Sequence, residues 1–319
     1  MYKHLTGLTL TELLIAMLLG SFLFGMAATA FSSLSNSVRQ TQQLAELQQN
    51  AQLIVNLMHN ELINTGFWGG INNNTVPTVA SGISAPAGDC AEDGLDSGSF
   101  PSAVADFITF YAEVASDNRP LNCVNSPSMG SEVLQVKRLL GQYATPDDMR
   151  SNRFYFETSF GVSRFVANDS SSLLTDTHYF PYQHLVLYVQ LQARESGDVP
   201  VLMRKRLVRT NAGDAAISTE SVLDGVERMH FQFGIDSDAN GQVDFMLDTA
   251  QMTPQLWQRH HRQIISLRYY ILLRATQSDR RFVNRQVYQM GAQQFEANAD
   301  HYRRLLISNS LYFPNASLH

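Results

Sequence analysis

The stretch "DSDANGQVD", residues 236 to 244, spaces oxygen-bearing side chains as a calcium loop does. Asp236, Asp238, Asn240, Gly241 and Asp244 fall at positions one, three, five, six and nine, and the Gln242 carbonyl falls at position seven. Oxygen donors at alternate positions, with a glycine where the chain turns sharply, suit a hard divalent cation such as Ca2+. Position twelve, where a bidentate glutamate closes such a loop, is Leu247, and Asp248 comes one residue late. The same residues also read as a plain turn, because Asn240-Gly241 is a strong hairpin signal. Register narrows the choice. Met229, Phe231, Phe233 and Ile235 form one apolar face before the turn, and Val243, Phe245 and Leu247 form one after it. Keeping both faces on one side of a sheet requires a loop of odd length. Three residues, Ala239 to Gly241, satisfy this, and so do seven, Asp236 to Gln242, a length that can hold a cation.

Other chemistry is thin. The chain has no G-x-S-x-G, phosphate loop, H-E-x-x-H or paired CxxC, so no enzymatic activity is expected. His260 and His261 adjoin the strand-like "RQIISLRYYILL", where adjacent residues face opposite ways, and they read as surface polar residues. His178 and His184 have no readable partner. The 29 acidic residues outnumber the 23 Lys and Arg, for a formal net charge of -6, and no basic block tracks a phosphate backbone. Nucleic acid is therefore not an expected partner.

The elements that must carry these residues begin with an apolar run. At 319 residues and 44% hydrophobic content the chain can bury a substantial core. Between Glu12 and Arg39 no charge occurs, and the run from Leu13 to about Leu34 would span roughly 33 Å as a helix, enough to cross a hydrocarbon core. A buried core helix is an alternative reading. So is a secretory signal cut at Ala28-Thr29-Ala30, although Glu12 at the head of the apolar region opposes it. From Val38 the pattern turns amphipathic, with Val38, Leu44, Leu47, Ala51, Ile54, Met58 and Leu62 at helical spacing. One helix can run from residue 8 to about 64, until Gly66, Gly69 and Gly70 in "NTGFWGG" stop it.

The segment "GLTLTELLIAM", residues 7 to 17, closely resembles the class III signal of type IV prepilins, whose usual form is G-F-T-L-I-E-L-L-I-A-M. Leu8 replaces the commoner Phe and Thr11 an aliphatic residue, while Gly7 and Glu12 keep their five-residue separation. The resemblance implies a leader over residues 1–7, cleavage after Gly7 by a prepilin peptidase and methylation of the new amine on Leu8. It also implies a physical role for Glu12. A carboxylate in lipid needs a partner, and the amine of a neighbouring subunit supplies one on assembly. Length and the phrase "NTGFWGG" further resemble PilW-type minor pilins and the shorter GspJ-type pseudopilins of type II secretion. The implied setting is a single-pass inner-membrane protein with a periplasmic head, open to incorporation in the pilus. Its partners would be other minor and major pilins.

An exported head sits in an oxidising compartment, so Cys90 and Cys123, the only cysteines, are expected to form a disulfide. Residues 72 to about 102 read as a long loop. Beyond it, "DFITFYAEV", "EVLQVKRLL", "HLVLYVQLQA", "PVLMRKRLV", "VERMHFQFGI", "IISLRYYILLRA" and "RRLLISNSLYF" alternate apolar with polar residues. The expected fold is α+β. An N-terminal helix over 8–66, about 13–34 of it transmembrane, leads into a mainly antiparallel β head over 67–319.

Overall fold

The computed structural model describes residues 9–70, 82–102, 105–159, 162–170, 173, 177–195, 197–258 and 264–315. Its elements are a helix α1 (Leu10–Leu62) and thirteen strands, interrupted late by a short α2 (Pro254–Gln258). The strands are β1 (Phe110–Val114), β2 (Glu132–Leu139), β3 (Tyr155–Ser159), β4 (Val162–Val166), β5 (His178–Arg194), β6 (Gly197–Arg209) and β7 (Ala215–Asp224). They continue with β8 (Val226–Ile235), β9 (Phe245–Asp248), β10 (Ile264–Arg274), β11 (Val287–Met290), β12 (Gln293–Glu296) and β13 (Arg304–Tyr312). The chain divides into two compact units, residues 1–46 and 47–319.

Within the first unit α1 is an uninterrupted helix that presents Leu13, Leu14, Ile15, Leu18, Phe22 and Phe24 outward. It is long and apolar enough to cross a membrane. The second unit begins where the same helix first buries side chains, at Leu47, and continues through Ile54, Met58 and Leu62. Val38 and Leu44, which the sequence pattern assigns to the amphipathic face, remain exposed.

The head is the expected antiparallel sheet structure. One seven-stranded sheet runs β1-β2-β5-β3-β4, with β6 and β7 continuing from β5; a second runs β13-β10-β8-β9, and β11-β12 form a hairpin. The seventeen-residue β5 organises the first sheet because its early residues pair with β3 and its later ones with β6. Both sheets contribute to the main core, where Phe110 meets Phe233 and Phe313 edge-on. α1 adds Leu47, Ile54, Met58 and Leu62 to that same core.

A second, aromatic core receives the chain as it leaves α1. Trp68 is buried against Phe156 at 5.3 Å, with Phe107, Phe165 and Tyr182 around it. Gly69 makes this docking possible: at φ +69°, a Cβ there would lie 2.8 Å from Thr158 and 2.9 Å from Phe180. Thus "NTGFWGG" both terminates the helix and anchors its end to the head. An ion network closes the joint. Glu61 pairs with Arg138 of β2 and, at 3.0 Å, with Arg204 of β6, while Arg138 also donates to the Asn60 carbonyl in the last helical turn.

All seven strand-like runs are strands. Alternation misled at one of them, since every residue of β2 is buried, Glu132, Gln135, Lys137 and Arg138 included. Glu132 and Arg138 share one face of the strand, and something must cover Gln135 and Lys137 on the other.

Candidate functional site

That cover is the irregular segment 82–102, closed by the Cys90–Cys123 disulfide. Buried polar groups need hydrogen bonds, and the backbone of this segment, together with Ile108, supplies them. Gln135 donates to the carbonyls of Cys90 (2.7 Å) and Ser97 (3.0 Å), and Lys137 Nζ donates to those of Ser97 (2.7 Å) and Ile108 (2.6 Å). Burial pushes the Lys137 ammonium down to about 7, against the opposing pull of Asp89 and Asp96. His184, opposite Lys137 on β5, has the partners that sequence could not reveal. Its Nε2 faces the Gln135 amide at 2.9 Å and its Nδ1 the Ser99 hydroxyl at 2.8 Å, which in turn donates to Asp89 at 2.5 Å. Burial holds the imidazole well below its usual value, so it is neutral. The carboxylate here binds the serine rather than the histidine, and Ser99 is fully buried. The arrangement latches the cover; it is not a nucleophilic relay.

In the acidic loop the carboxylate oxygens of Asp236, Asp238 and Asp244 lie within 4.8 Å of one another. Asp236, nearly buried, accepts the backbone N–H of Asn240 (3.1 Å) and Gly241 (2.8 Å), which curls the loop inward. Asp244 accepts the Ser237 N–H at 2.8 Å, and its hydrogen bonds from Ser237 hold its carboxyl below the usual range. Asn240 receives the Gln242 N–H on its side-chain oxygen (2.8 Å). The strands pair Ile235 with Phe245 and Phe233 with Leu247, so the loop is of odd length as expected, but it has nine residues rather than three or seven. The register is the one a three-residue loop would give, opened because the carboxylates bind the loop's own N–H groups in place of the ladder.

Asp248, the residue that arrives one position late, is committed elsewhere. It accepts from Gln232 at 2.8 Å and lies 3.1 Å from His230 Nε2, whose Nδ1 is 2.6 Å from the buried Glu132. Burial opposes charge on His230, yet the two flanking carboxylates outweigh it and raise its pKa. His230 therefore bridges β2 and the end of β9, with a carboxylate against each ring nitrogen. Asp248 does not supply the loop with a twelfth ligand.

Glu12 lies in the first unit. Thr9 donates to its carboxylate through both N–H (2.9 Å) and hydroxyl (2.8 Å), and the Glu12 N–H returns to the Thr9 hydroxyl at 3.3 Å. This is a capping box, and it gives the carboxylate a partner within its own chain. Thr9 escapes the sequence reading, although the T-x-x-E spacing of "TLTE" is its signature. Gly7 and Leu8 lie outside the described residues, as do His260 and His261. His178 stacks on Tyr143 at 4.2 Å.

Residues 186–315, from within β5 to just past β13, match the family model for the type IV pilus-assembly protein W. The matched region holds the acidic loop and His230 with Asp248, but not Glu132, Glu12 or the disulfide-closed cover. No curated protein and no solved structure matches the chain.

Proposed function

We propose, from the premise that the chain is a PilW-type pilus-associated protein, that it is a non-enzymatic minor pilin that helps initiate or cap a type IV pilus. The observation that carries this reading is the conjunction of the family match in the head with a membrane-length N-terminal helix bearing Glu12. On this reading the leader is removed after Gly7, Leu8 becomes the methylated terminus, and the head lies in the periplasm. Glu12 leaves its Thr9 cap to pair with the amine of an adjacent subunit. Glu12→Ala should then leave cleavage and membrane retention intact while markedly reducing pilus number and co-purification of other pilins. Gly7→Ala should instead block processing. Wild-type piliation by Glu12→Ala would overturn the assembly role of the carboxylate.

The acidic loop, on the same reading, binds Ca2+ weakly through Asp236, Asp238, Asn240, the Gln242 carbonyl and Asp244. Three convergent carboxylates, of Asp236, Asp238 and Asp244, support this donor set. An ion bound only by the folded state raises its stability by mass action. Melts of the full chain in detergent should rise with calcium and fall back with chelator, and Asp236→Asn with Asp238→Asn should abolish the response. A retained response would reduce the loop to a turn.

A further inference from the structure

One cavity of the head is separate from both the acidic loop and the His230 bridge. About 380 Å3 in volume, it lies between the disulfide-closed segment, which contributes Glu92, Asp93 and Leu95, and the region of α2, which contributes Met252 and Trp257. Tyr111 of β1 forms part of its wall. A volume near the lower end of ligand-site sizes suits one long side chain or a small molecule.

Its electrostatics are one-sided. Glu92 and Asp93 line it, and Glu113 stands behind them with the Tyr111 hydroxyl 3.5 Å from its Oε2. Asp117 adds a fourth charge near Glu92 and Glu113. Elsewhere in the head carboxylates meet arginines: Glu61, Glu157, Glu220, Glu227, Asp279 and Asp300 all do. Among the described residues none of the four carboxylates here pairs with an arginine or lysine. Asp93 has only the Asn122 amide (3.1 Å) and Asp117 the Arg119 N–H (2.7 Å). Glu113 Oε1 is buried, and its carboxyl shares a hydrogen bond with Glu92 and accepts the Leu121 N–H. Carboxylates this close raise one another's cost of ionisation, and a cation entering from outside would relieve that repulsion.

The walls define that donor. Tyr111 and Trp257 present two tilted rings with centroids 5.1 Å apart, both buried at their backs, and Trp257 is braced by Phe233 at 5.0 Å. Aromatic faces attract cations, and Leu95 and Met252 offer apolar surface for an aliphatic stem. We infer that this cavity receives the arginine or lysine side chain of a partner protein, its cationic head toward Glu92 and Asp93, with the Glu113 charge behind them, and its stem against Tyr111, Trp257 and Met252. A hydrated metal ion would leave the aromatic and apolar walls unused, and a neutral sugar would leave the carboxylates uncompensated. The inference stands whichever assembly the protein serves.

Proton linkage adds a signature. Burial and the neighbouring Glu92 charge push the Glu113 carboxyl up to about 7; Asp117 raises it further and the Leu121 N–H opposes them. The Tyr111 hydroxyl is the other titratable group facing it. A cation competes with that proton, so binding should tighten between about pH 6 and pH 8.

The chain has two tryptophans, Trp68 in the aromatic core and Trp257 in the cavity, so 5-fluorotryptophan labelling of the full chain in detergent gives a reporter and an internal control. N-acetyl-arginine amide should shift the Trp257 resonance saturably and leave Trp68 unmoved. N-acetyl-citrulline amide, of the same shape without the charge, should bind at least tenfold more weakly. Glu92→Gln with Glu113→Gln should weaken the arginine probe at least tenfold, with the Trp68 resonance reporting an intact fold. Equal binding of the citrulline probe, no saturable shift with arginine, or saturation by calcium or a hexose in its place would each overturn the assignment.

Discussion

The two stretches of α1 use the same residue types to opposite ends. From Leu10 to Glu46 the large apolar side chains point outward: Leu10 is 76% exposed, Phe24 76% and Phe31 75%. From Leu47 to Leu62 those facing the head are sealed, with Leu47 at 2% and Met58 and Leu62 at 0%. The second stretch satisfies its apolar surface within the chain. The first leaves its own uncovered among the described residues, on a helix long and apolar enough to cross a membrane. A continuous helix can thus be half structural and half adhesive, with the division marked by burial rather than by any break in the backbone.

The largest effect should separate the two stretches outright. Trp68→Ala and Met58→Ala remove fully packed side chains from the two cores that hold the helix end, and each should lower head stability by about 2 to 5 kcal/mol. Leu19→Ala, on the exposed stretch, should leave the head's melting transition unmoved while weakening membrane retention. Thermal melts of the full chain in detergent make the comparison. A destabilised head in Leu19→Ala would mean that the two stretches are not distinct.

Much of this is legible in sequence where one physical requirement dominates. The helix follows from an unbroken apolar run without proline, and seven strands follow from alternation. β7 escapes because its residues are only partly buried or exposed, so "AAISTESVLD" carries too weak an apolar alternation to register. The polar face of β2 misleads for the opposite reason. Its alternation implies solvent, and only the three-dimensional return of segment 82–102 supplies the carbonyls that let Lys137 and Gln135 be buried. His230 and Glu132 lie 98 residues apart, and no local pattern joins them. The nine-residue acidic loop is partly legible: pattern fixes parity, but loop length depends on how many N–H groups the carboxylates capture.

A smaller effect tests the joint itself. Glu61 sits in the last turns of α1 and joins it to two strands through Arg138 and Arg204, with only 14% of its side chain exposed. Glu61→Gln keeps the shape but leaves the buried Arg138 guanidinium without its counter-charge and deprives Arg204 of one of two. Breaking such a group should destabilise by about 2 to 3 kcal/mol, discounted from a fully buried case because Arg204 keeps its pairing with Glu220. The transition should broaden if the helix end detaches first. A variant as stable as wild type would show that the aromatic anchor alone fixes the helix.

The smallest effect concerns the far end of the helix and tells whether its lone carboxylate is held ready or merely tolerated. Thr9 supplies two hydrogen bonds to Glu12 and receives one from its N–H, so it satisfies the charge within a single subunit. Thr9→Val retains the shape and the backbone N–H but deletes the hydroxyl. Losing an N-cap side chain loosens the first helical turn and leaves the rest unaffected, so amide exchange near Glu12 should quicken by up to about tenfold, with no change in the head. The assembly outcome then discriminates. If Thr9 competes with a neighbouring amine for Glu12, weakening the cap frees the carboxylate, and Thr9→Val should assemble at least as well as wild type while Glu12→Ala fails. If instead the cap is what orients Glu12 toward its partner, Thr9→Val should lose pili in the same direction as Glu12→Ala, though less severely. Pilus counts for the two variants side by side, read against exchange rates at residues 9 to 13, decide between a reservoir and a guide.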